Sequence, residues 1–203
     1  MKKTLYCIRH GTALHNINFP KIGRRAYTEF RDTPLVDFGH LESITLGQEW
    51  RDINKIELVV VSPLTRTLQT AQNIFNSKPH IPILAIDCIK EHPQSEETCN
   101  YRQMRSILQK QFPSVDFTNI TEDEDTAFQE AKRADNIELE LLHKRIDTFK
   151  KWIASRSENH IAVVSHSSFL GEMLFGKIGD ENNELFHCYP YVYKLPINES
   201  AYA

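Results

Sequence analysis

Three short apolar runs constrain the fold of this sequence more than any other feature. They occupy residues 5–8, 58–61 and 161–164, and each ends at a polar or charged residue. The runs are continuous and do not alternate with polar residues, a pattern typical of strands that are covered on both faces. The sequence therefore predicts a mostly parallel sheet in an α/β fold.

Helical periodicity follows the second and third runs, which predicts strand–turn–helix units. A further helix is expected from Gly39 to about Asn54, and a long amphipathic helix from Leu139 to Ile153. Residues 83–89 form a possible fourth strand. The segment 91–135 has weak periodicity, and we interpret it as helical turns and loops that cap one end of the sheet. We expect a three-layer α/β/α sandwich that forms one domain, residues 1–203.

Composition excludes several classes of protein. A 203-residue chain can bury one sizeable core, and 40% apolar with 25% charged residues is typical of a globular protein. The net charge of −3 gives no electrostatic reason to expect nucleic acid or an anionic membrane as partner. The sequence shows no secretory leader or membrane-spanning run, and its four scattered cysteines suggest a reducing compartment. We expect a cytoplasmic protein.

Basic and imidazole side chains follow all three predicted strands. Arg9 and His10 end the first, Arg66 lies one turn into the helix after the second, and His166 follows the third. Ligands of open α/β sheets bind outside the carboxyl ends of the strands, so these side chains should converge. Arginine donates to phosphate through two N–H groups at once, and the helix N-termini after Ser62-Pro63 and after His166 should add backbone N–H groups. This predicts a site for a phosphorylated small molecule.

Two histidines in such a cluster suggest catalysis as well as binding. A neutral imidazole can attack phosphorus and form a covalent intermediate, while its neighbours stabilise the charge on the phosphoryl oxygens. The leaving oxygen then needs a proton. Glu91 is the candidate acid/base because it follows the possible fourth strand, and Glu96 and Glu97 are alternatives.

Four ordered blocks resemble the histidine phosphatase superfamily, the phosphoglycerate mutase-like proteins. The blocks are Arg9-His10-Gly11 with Asn16, Asp32-Thr33-Pro34-Leu35 with Gly39-His40, the stretch from Ser62 to Ala71, and Val164-Ser165-His166. The resemblance implies that His10 is the phosphorylated nucleophile, that Arg9, Arg66 and His166 form the phosphate pocket, that Asn16 contacts phosphate or orients His10, and that Glu91 is the acid/base. It implies a hydrolase that needs no cofactor and no metal.

Departures from the family pattern favour a phosphatase. Glu91 leads into His92-Pro93, whereas the mutases commonly have Arg-Glu-Arg and a glycine-containing loop there. Many members have glycine after the third-block histidine, and here Ser167 could contact phosphate. The stretches around Glu91 and Cys99 are similar to a plant and fungal branch of mutase-like phosphatases. A mutase and a catalytically silent phosphate-binding protein are the alternative functions.

Other residues have two possible interpretations. Lys21, Arg24 and Arg25 form a basic patch in a predicted loop, either solvated surface or a contact for further substrate phosphates. Arg102 could reach the substrate from the cap or form a salt bridge with a nearby acid. We interpret five other histidines as structural: His40, His80, His143, His160 and His187. Neither the acidic tract 122–125 nor the spacing of His92, Cys99 and His187 matches a metal-ligand pattern.

Overall fold

A single six-stranded sheet forms the centre of the computed structural model, which describes residues 3–93, 97–126, 138–178 and 184–195. The strands are β1 (Lys3–Arg9), β2 (Leu58–Val61), β3 (Ile83–Ala85), β4 (Val115–Asp116), β5 (His160–Ser165) and β6 (Pro190–Leu195). Their order across the sheet is β4-β3-β2-β5-β1-β6. Every neighbouring pair is parallel except β1 and β6, which are antiparallel. The prediction of a mostly parallel sheet is confirmed.

Helices cover both faces of this sheet. In the described ranges they are α1 (Leu14–Ile22), α2 (Arg25–Thr28), α3 (Asp37–Glu49), α4 (Thr65–Phe75), α5 (Arg105–Gln111), α6 (Glu138–Ala154) and α7 (Ser167–Phe175). Apolar residues of α4 and α5 pack on one face, and those of α6 and α7 pack on the other. The result is the three-layer arrangement that the sequence predicted. None of the described helices is long and apolar enough to span a membrane.

The central strands explain why their apolar runs do not alternate with polar residues. In β1, Tyr6 and Ile8 join the core beneath α4, whereas Leu5 and Cys7 join the core beneath α6 and α7. All four side chains are at most 4% exposed. Full burial of one such apolar side chain is worth about 1.5–3 kcal/mol, so both cores stabilise the sheet.

Several predicted boundaries were wrong. The strand expected at 83–89 ends at Ala85, and a 3-10 turn at Asp87–Ile89 follows it. The helix expected to end near Asn54 ends at Glu49. The loop predicted after His10 contains α1 and α2, and the cap segment contributes β4 to the sheet edge. The long amphipathic helix is confirmed as α6. Residues 94–96 and 127–135 of the cap lie outside the described residues.

Two glycines allow the loop after β1 to lie directly against α3. A Cβ atom on Gly39 would lie 2.1 Å from the Thr12 carbonyl oxygen, and one on Gly11 would lie 2.5 Å from the Gly39 carbonyl oxygen. Both obstacles are backbone atoms, which cannot rotate away. The close contact fixes the loop that follows His10.

We expect Gly39→Ala to lower the free energy of unfolding by about 1–3 kcal/mol, because the added methyl group forces two backbone segments apart. Urea denaturation at neutral pH measures this change. Leu41→Ala, on the same helix and 59% exposed, is the control and should change the unfolding free energy by less than about 0.5 kcal/mol. Equal effects of the two substitutions would contradict the role of this contact.

Candidate active site

The ends of β1 and β5 bring two imidazole rings together. His10 directly follows β1 and His166 directly follows β5, and these strands are neighbours in the sheet. The ring centroids are 5.2 Å apart, and both residues are at most 2% exposed. The structure therefore brings together two histidines that lie far apart in the sequence.

The hydrogen bonds of His10 define its tautomer. Its Nδ1 atom lies 2.7 Å from the carbonyl oxygen of Gly11. Because a carbonyl oxygen can only accept, Nδ1 carries the proton and Nε2 carries the lone pair. Arg66 donates from Nε to this Nε2 atom at 3.2 Å. The free imidazole nitrogen therefore faces a guanidinium group.

Arg66 is 1% exposed and is held by three acceptors. Besides His10, it donates from Nη1 to the carbonyl oxygen of Cys99 at 2.7 Å and from Nη2 to Oδ1 of Asn100 at 2.8 Å. None of these partners is a carboxylate, so the hydrogen bonds orient the guanidinium group without neutralising it. Such a buried cation favours a bound anion.

Six buried side-chain polar atoms lack a hydrogen-bond partner among the described residues, and three of them belong to residues that the sequence placed in the phosphate pocket. These three are Nε of Arg9, Nδ1 of His166 and Oγ of Ser167. Arg9 donates from Nη1 to the Leu185 carbonyl oxygen at 2.8 Å, and His166 Nε2 lies 2.8 Å from Ser62 Oγ. Buried polar groups are normally paired, so these atoms are available to a ligand.

Carboxylates occupy the two helix N-termini that were expected to face the phosphate. Asp32 accepts from the Thr65 backbone N–H at 2.8 Å at the start of α4. Glu91 accepts from the backbone N–H groups of Ser168 and Phe169, at 3.2 and 3.1 Å, at the start of α7. These N–H groups are therefore not free for a phosphate, and at these positions the expectation was wrong.

Asn16 and Arg102 are held by protein groups. Asn16 accepts through Oδ1 from the Ala13 backbone N–H at 2.9 Å and so stabilises the loop after His10. Arg102 is 1% exposed; it donates from Nε to Asp87 at 3.0 Å and from its Nη atoms to carbonyl oxygens of the cap. This geometry favours the salt-bridge interpretation of Arg102 and gives it a structural role in the cap.

The site contains residues that the sequence analysis did not assign to it. His15 and His187 flank His10, with ring centroids 5.8 and 5.5 Å away. His187, interpreted as structural, contacts the His10 backbone through Nδ1, which lies 2.5 Å from the carbonyl oxygen. Asn100, which holds Arg66, directly follows Cys99 in a stretch that the sequence analysis used only for its resemblance. His15 directly precedes Asn16 in the first block. This position was the sequence signal that could have assigned His15 to the site.

Burial keeps these imidazoles neutral. It lowers the pKa of His10, His15 and His166 well below the usual value, and the positive charge of Arg66 lowers each further. Burial and then Arg9 lower the pKa of His187 to about 4. The pocket therefore combines two permanent cations with four imidazole rings that are uncharged at neutral pH.

The other sequence candidates occupy different surroundings. Glu97 is 9% exposed, whereas Arg24, 3.5 Å from it, has a largely exposed side chain. Glu96 lies outside the described residues.

The described residues contain no group of three or more His, Cys, Asp or Glu side chains placed to hold a metal ion. A cavity of about 1110 Å³ between the C-terminal parts of α3 and α4 is lined by none of the predicted site residues.

The family model of the histidine phosphatase superfamily, branch 1, matches residues 5–189. The chain belongs to the histidine phosphatase superfamily. It is 31% identical over 209 residues to a phosphoglycerate mutase-like protein of Arabidopsis thaliana, covering 86% of this chain and 75% of that protein. It is 29% identical over 188 residues to a probable phosphatase of Schizosaccharomyces pombe, covering 90% and 82%.

The chain also shares its fold with a solved structure. It is the ecdysone phosphate phosphatase of Bombyx mori in complex with tungstate, with a TM-score of 0.55 and 14% sequence identity. The match covers 94% of this chain and 87% of that one. At this identity the match shows a shared fold.

Anion binding to this histidine phosphatase pocket should become tighter as the pH falls. A bound dianion favours the protonated forms of His10 and His166, so binding takes up protons. With sulfate, which does not itself titrate near neutrality, the affinity should increase by up to about tenfold per pH unit for each proton taken up. Isothermal titration calorimetry in buffers of different ionisation enthalpy measures both quantities.

His166→Gln is the matched variant, because glutamine is similar in size to histidine and cannot become charged. It should bind sulfate with less proton uptake than the wild type. Sulfate affinity that is independent of pH in the wild type would show that these imidazoles do not respond to the anion.

Proposed function

We propose that this protein is a phosphomonoesterase that hydrolyses a small phosphorylated substrate through a phosphohistidine intermediate on His10. The observation that carries the proposal is the tautomer of His10. Its proton is held on Nδ1 by the Gly11 carbonyl oxygen, so the Nε2 lone pair is available to attack phosphorus. The phosphatase relatives and the superfamily support the same reaction class.

The pocket residues have complementary roles in this mechanism. Arg66 donates from Nε to Nε2 of His10, and an incoming phosphate replaces His10 as the acceptor of this N–H group. Arg9 offers its unpartnered Nε–H group to the phosphoryl oxygens, and the unpartnered Nδ1 atom of His166 and the hydroxyl group of Ser167 are available to them. Fixed donors of this kind stabilise the charge of the transition state.

The two steps balance without a cofactor or metal. The Nε2–P bond of His10 forms as the ester P–O bond breaks, and the leaving oxygen takes a proton from a carboxyl group. Water then attacks phosphorus, the N–P bond breaks, and the water proton returns to the carboxylate. Glu91, Glu96 and Glu97 are the sequence candidates for this group, and Asn16 holds the loop after His10.

All four cysteines are free thiols, which agrees with action in the cytoplasm.

We expect wild-type protein mixed with p-nitrophenyl phosphate in a single turnover to acquire acid-labile, alkali-stable phosphate and to release inorganic phosphate. His10→Ala should lose both signals because the substitution removes the nitrogen atom that forms the bond to phosphorus. His143→Ala is the control, since this half-exposed ring pairs with Glu172 outside the site. It should retain full labelling and turnover.

The outcomes separate the alternative functions. Labelling that is discharged to an acceptor alcohol rather than to water would indicate a mutase-type transferase. Sulfate or phosphate binding without labelling in the wild type would indicate a phosphate-binding protein. Undiminished turnover in His10→Ala would refute the mechanism.

A further inference from the structure

The peptide group that joins His10 to Gly11 is held from both sides by side chains. On one side, Nδ1 of His187 lies 2.5 Å from the carbonyl oxygen of His10, and because a carbonyl oxygen can only accept, His187 is the donor. On the other side, the backbone N–H of Gly11 donates to Oγ1 of Thr70 at 3.0 Å. Thr70 belongs to α4, whereas His187 lies just before β6. Two distant parts of the chain therefore fix the orientation of one peptide group beside the reacting ring.

The orientation of this peptide group bears on the tautomer of His10. The ring of His10 donates from Nδ1 to the next carbonyl oxygen along the chain, that of Gly11. Glycine has no Cβ atom and adopts many backbone conformations, so Gly11 does not by itself fix the direction of its carbonyl group. The contacts of His187 and Thr70 supply this restraint. They keep the Gly11 carbonyl oxygen where the ring can donate to it.

The backbone on both sides of His187 is tied to the end of β1. The backbone N–H of Cys188 donates to the Arg9 carbonyl oxygen at 2.9 Å, and Arg9 donates from Nη1 to the Leu185 carbonyl oxygen at 2.8 Å. These contacts place the His187 ring with its centroid 5.5 Å from that of His10. Because its own backbone is held in this way, His187 can restrain the atom that it contacts.

The protonation of His187 limits what this residue can do. Burial and then Arg9 lower its pKa to about 4, so the ring is uncharged at neutral pH and has a single N–H group. That N–H group is on Nδ1 and donates to the His10 carbonyl oxygen. His187 therefore has no second N–H group for a phosphate, in contrast to the guanidinium groups of Arg9 and Arg66.

We propose that His187 is a positioning residue for the nucleophile: by holding the His10 carbonyl oxygen, it keeps the His10 ring in the orientation and tautomer that direct Nε2 at phosphorus. The inference rests on the proposed phosphatase function. Misplacement of a reacting atom by about 1 Å can cost about 10²-fold in rate, so losing this contact should slow phosphorylation much more than it weakens anion binding.

His187→Asn and His187→Leu separate the hydrogen bond from the packing of the ring. The two new side chains have the same branched shape, and Nδ2 of asparagine occupies the same place along its side chain as Nδ1 of histidine. Of the two, only asparagine can donate to the His10 carbonyl oxygen. The pair therefore differs in the hydrogen bond and not in the space that is filled.

We expect His187→Leu to form phosphohistidine from p-nitrophenyl phosphate about 10–10²-fold more slowly than the wild type in a single turnover. His187→Asn should recover most of that rate. Sulfate affinity, measured by isothermal titration calorimetry, should change by less than about threefold in both variants, because Arg9 and Arg66 keep their donors. Circular dichroism and urea denaturation show whether the two variants are equally folded.

Imidazole ¹⁵N NMR spectra measure the tautomer itself. The signals of His10 are assigned by their absence from the spectrum of His10→Ala. In the wild type and in His187→Asn, Nδ1 of His10 should be the protonated nitrogen. In His187→Leu the proton should be distributed between Nδ1 and Nε2, because the Gly11 carbonyl oxygen is no longer held in place.

The failures are distinguishable. If the wild type is never phosphorylated on His10, the proposed function and this inference both fall. If the wild type is phosphorylated and His187→Leu reacts as fast as His187→Asn, the phosphatase mechanism stands and the assignment of His187 is wrong. A loss of sulfate affinity that parallels the loss of rate would also overturn the assignment, since His187 would then act on the anion pocket as a whole.

Discussion

The burial of Arg66 without a carboxylate partner is the constraint on which the rest of the site depends. A guanidinium group removed from water needs an acceptor for each nitrogen, and here the acceptors are an imidazole, a carbonyl oxygen and an amide oxygen. They come from two distant parts of the chain, because His10 follows β1 whereas Cys99 and Asn100 lie in the Thr98–Asn100 turn. Arg66 therefore joins the cap to the sheet and leaves its charge available to an anion.

The same charge controls the protonation of the histidines. Because Arg66 and burial both disfavour a second positive charge, His10 keeps its lone pair without a dedicated base. That lone pair accepts from Arg66, and a phosphate would compete for the same N–H group. One side chain thus helps to keep the nucleophile uncharged and can donate to the phosphoryl group.

The central sheet could be predicted from the sequence because burial on both faces gives a continuous apolar pattern, as in Val59 to Val61. The convergence of His10 and His166 followed from their positions at the ends of parallel strands. Asn100 and His15 could not be assigned in this way. They reach the site through a 3-10 turn and a short helix, whose positions depend on tertiary contacts that carry no periodic signal.

The acid/base candidate shows the limit of the strand-end argument most clearly. Glu91 was chosen because it was expected to follow a strand, yet β3 ends at Ala85 and a turn intervenes. The turn brings Glu91 to the start of α7, where it accepts hydrogen bonds from two backbone N–H groups. Glu97, six positions later, is buried beside Asn100 and Arg24 instead. The two glutamates thus have different partners, and residue type and spacing alone could not distinguish their surroundings.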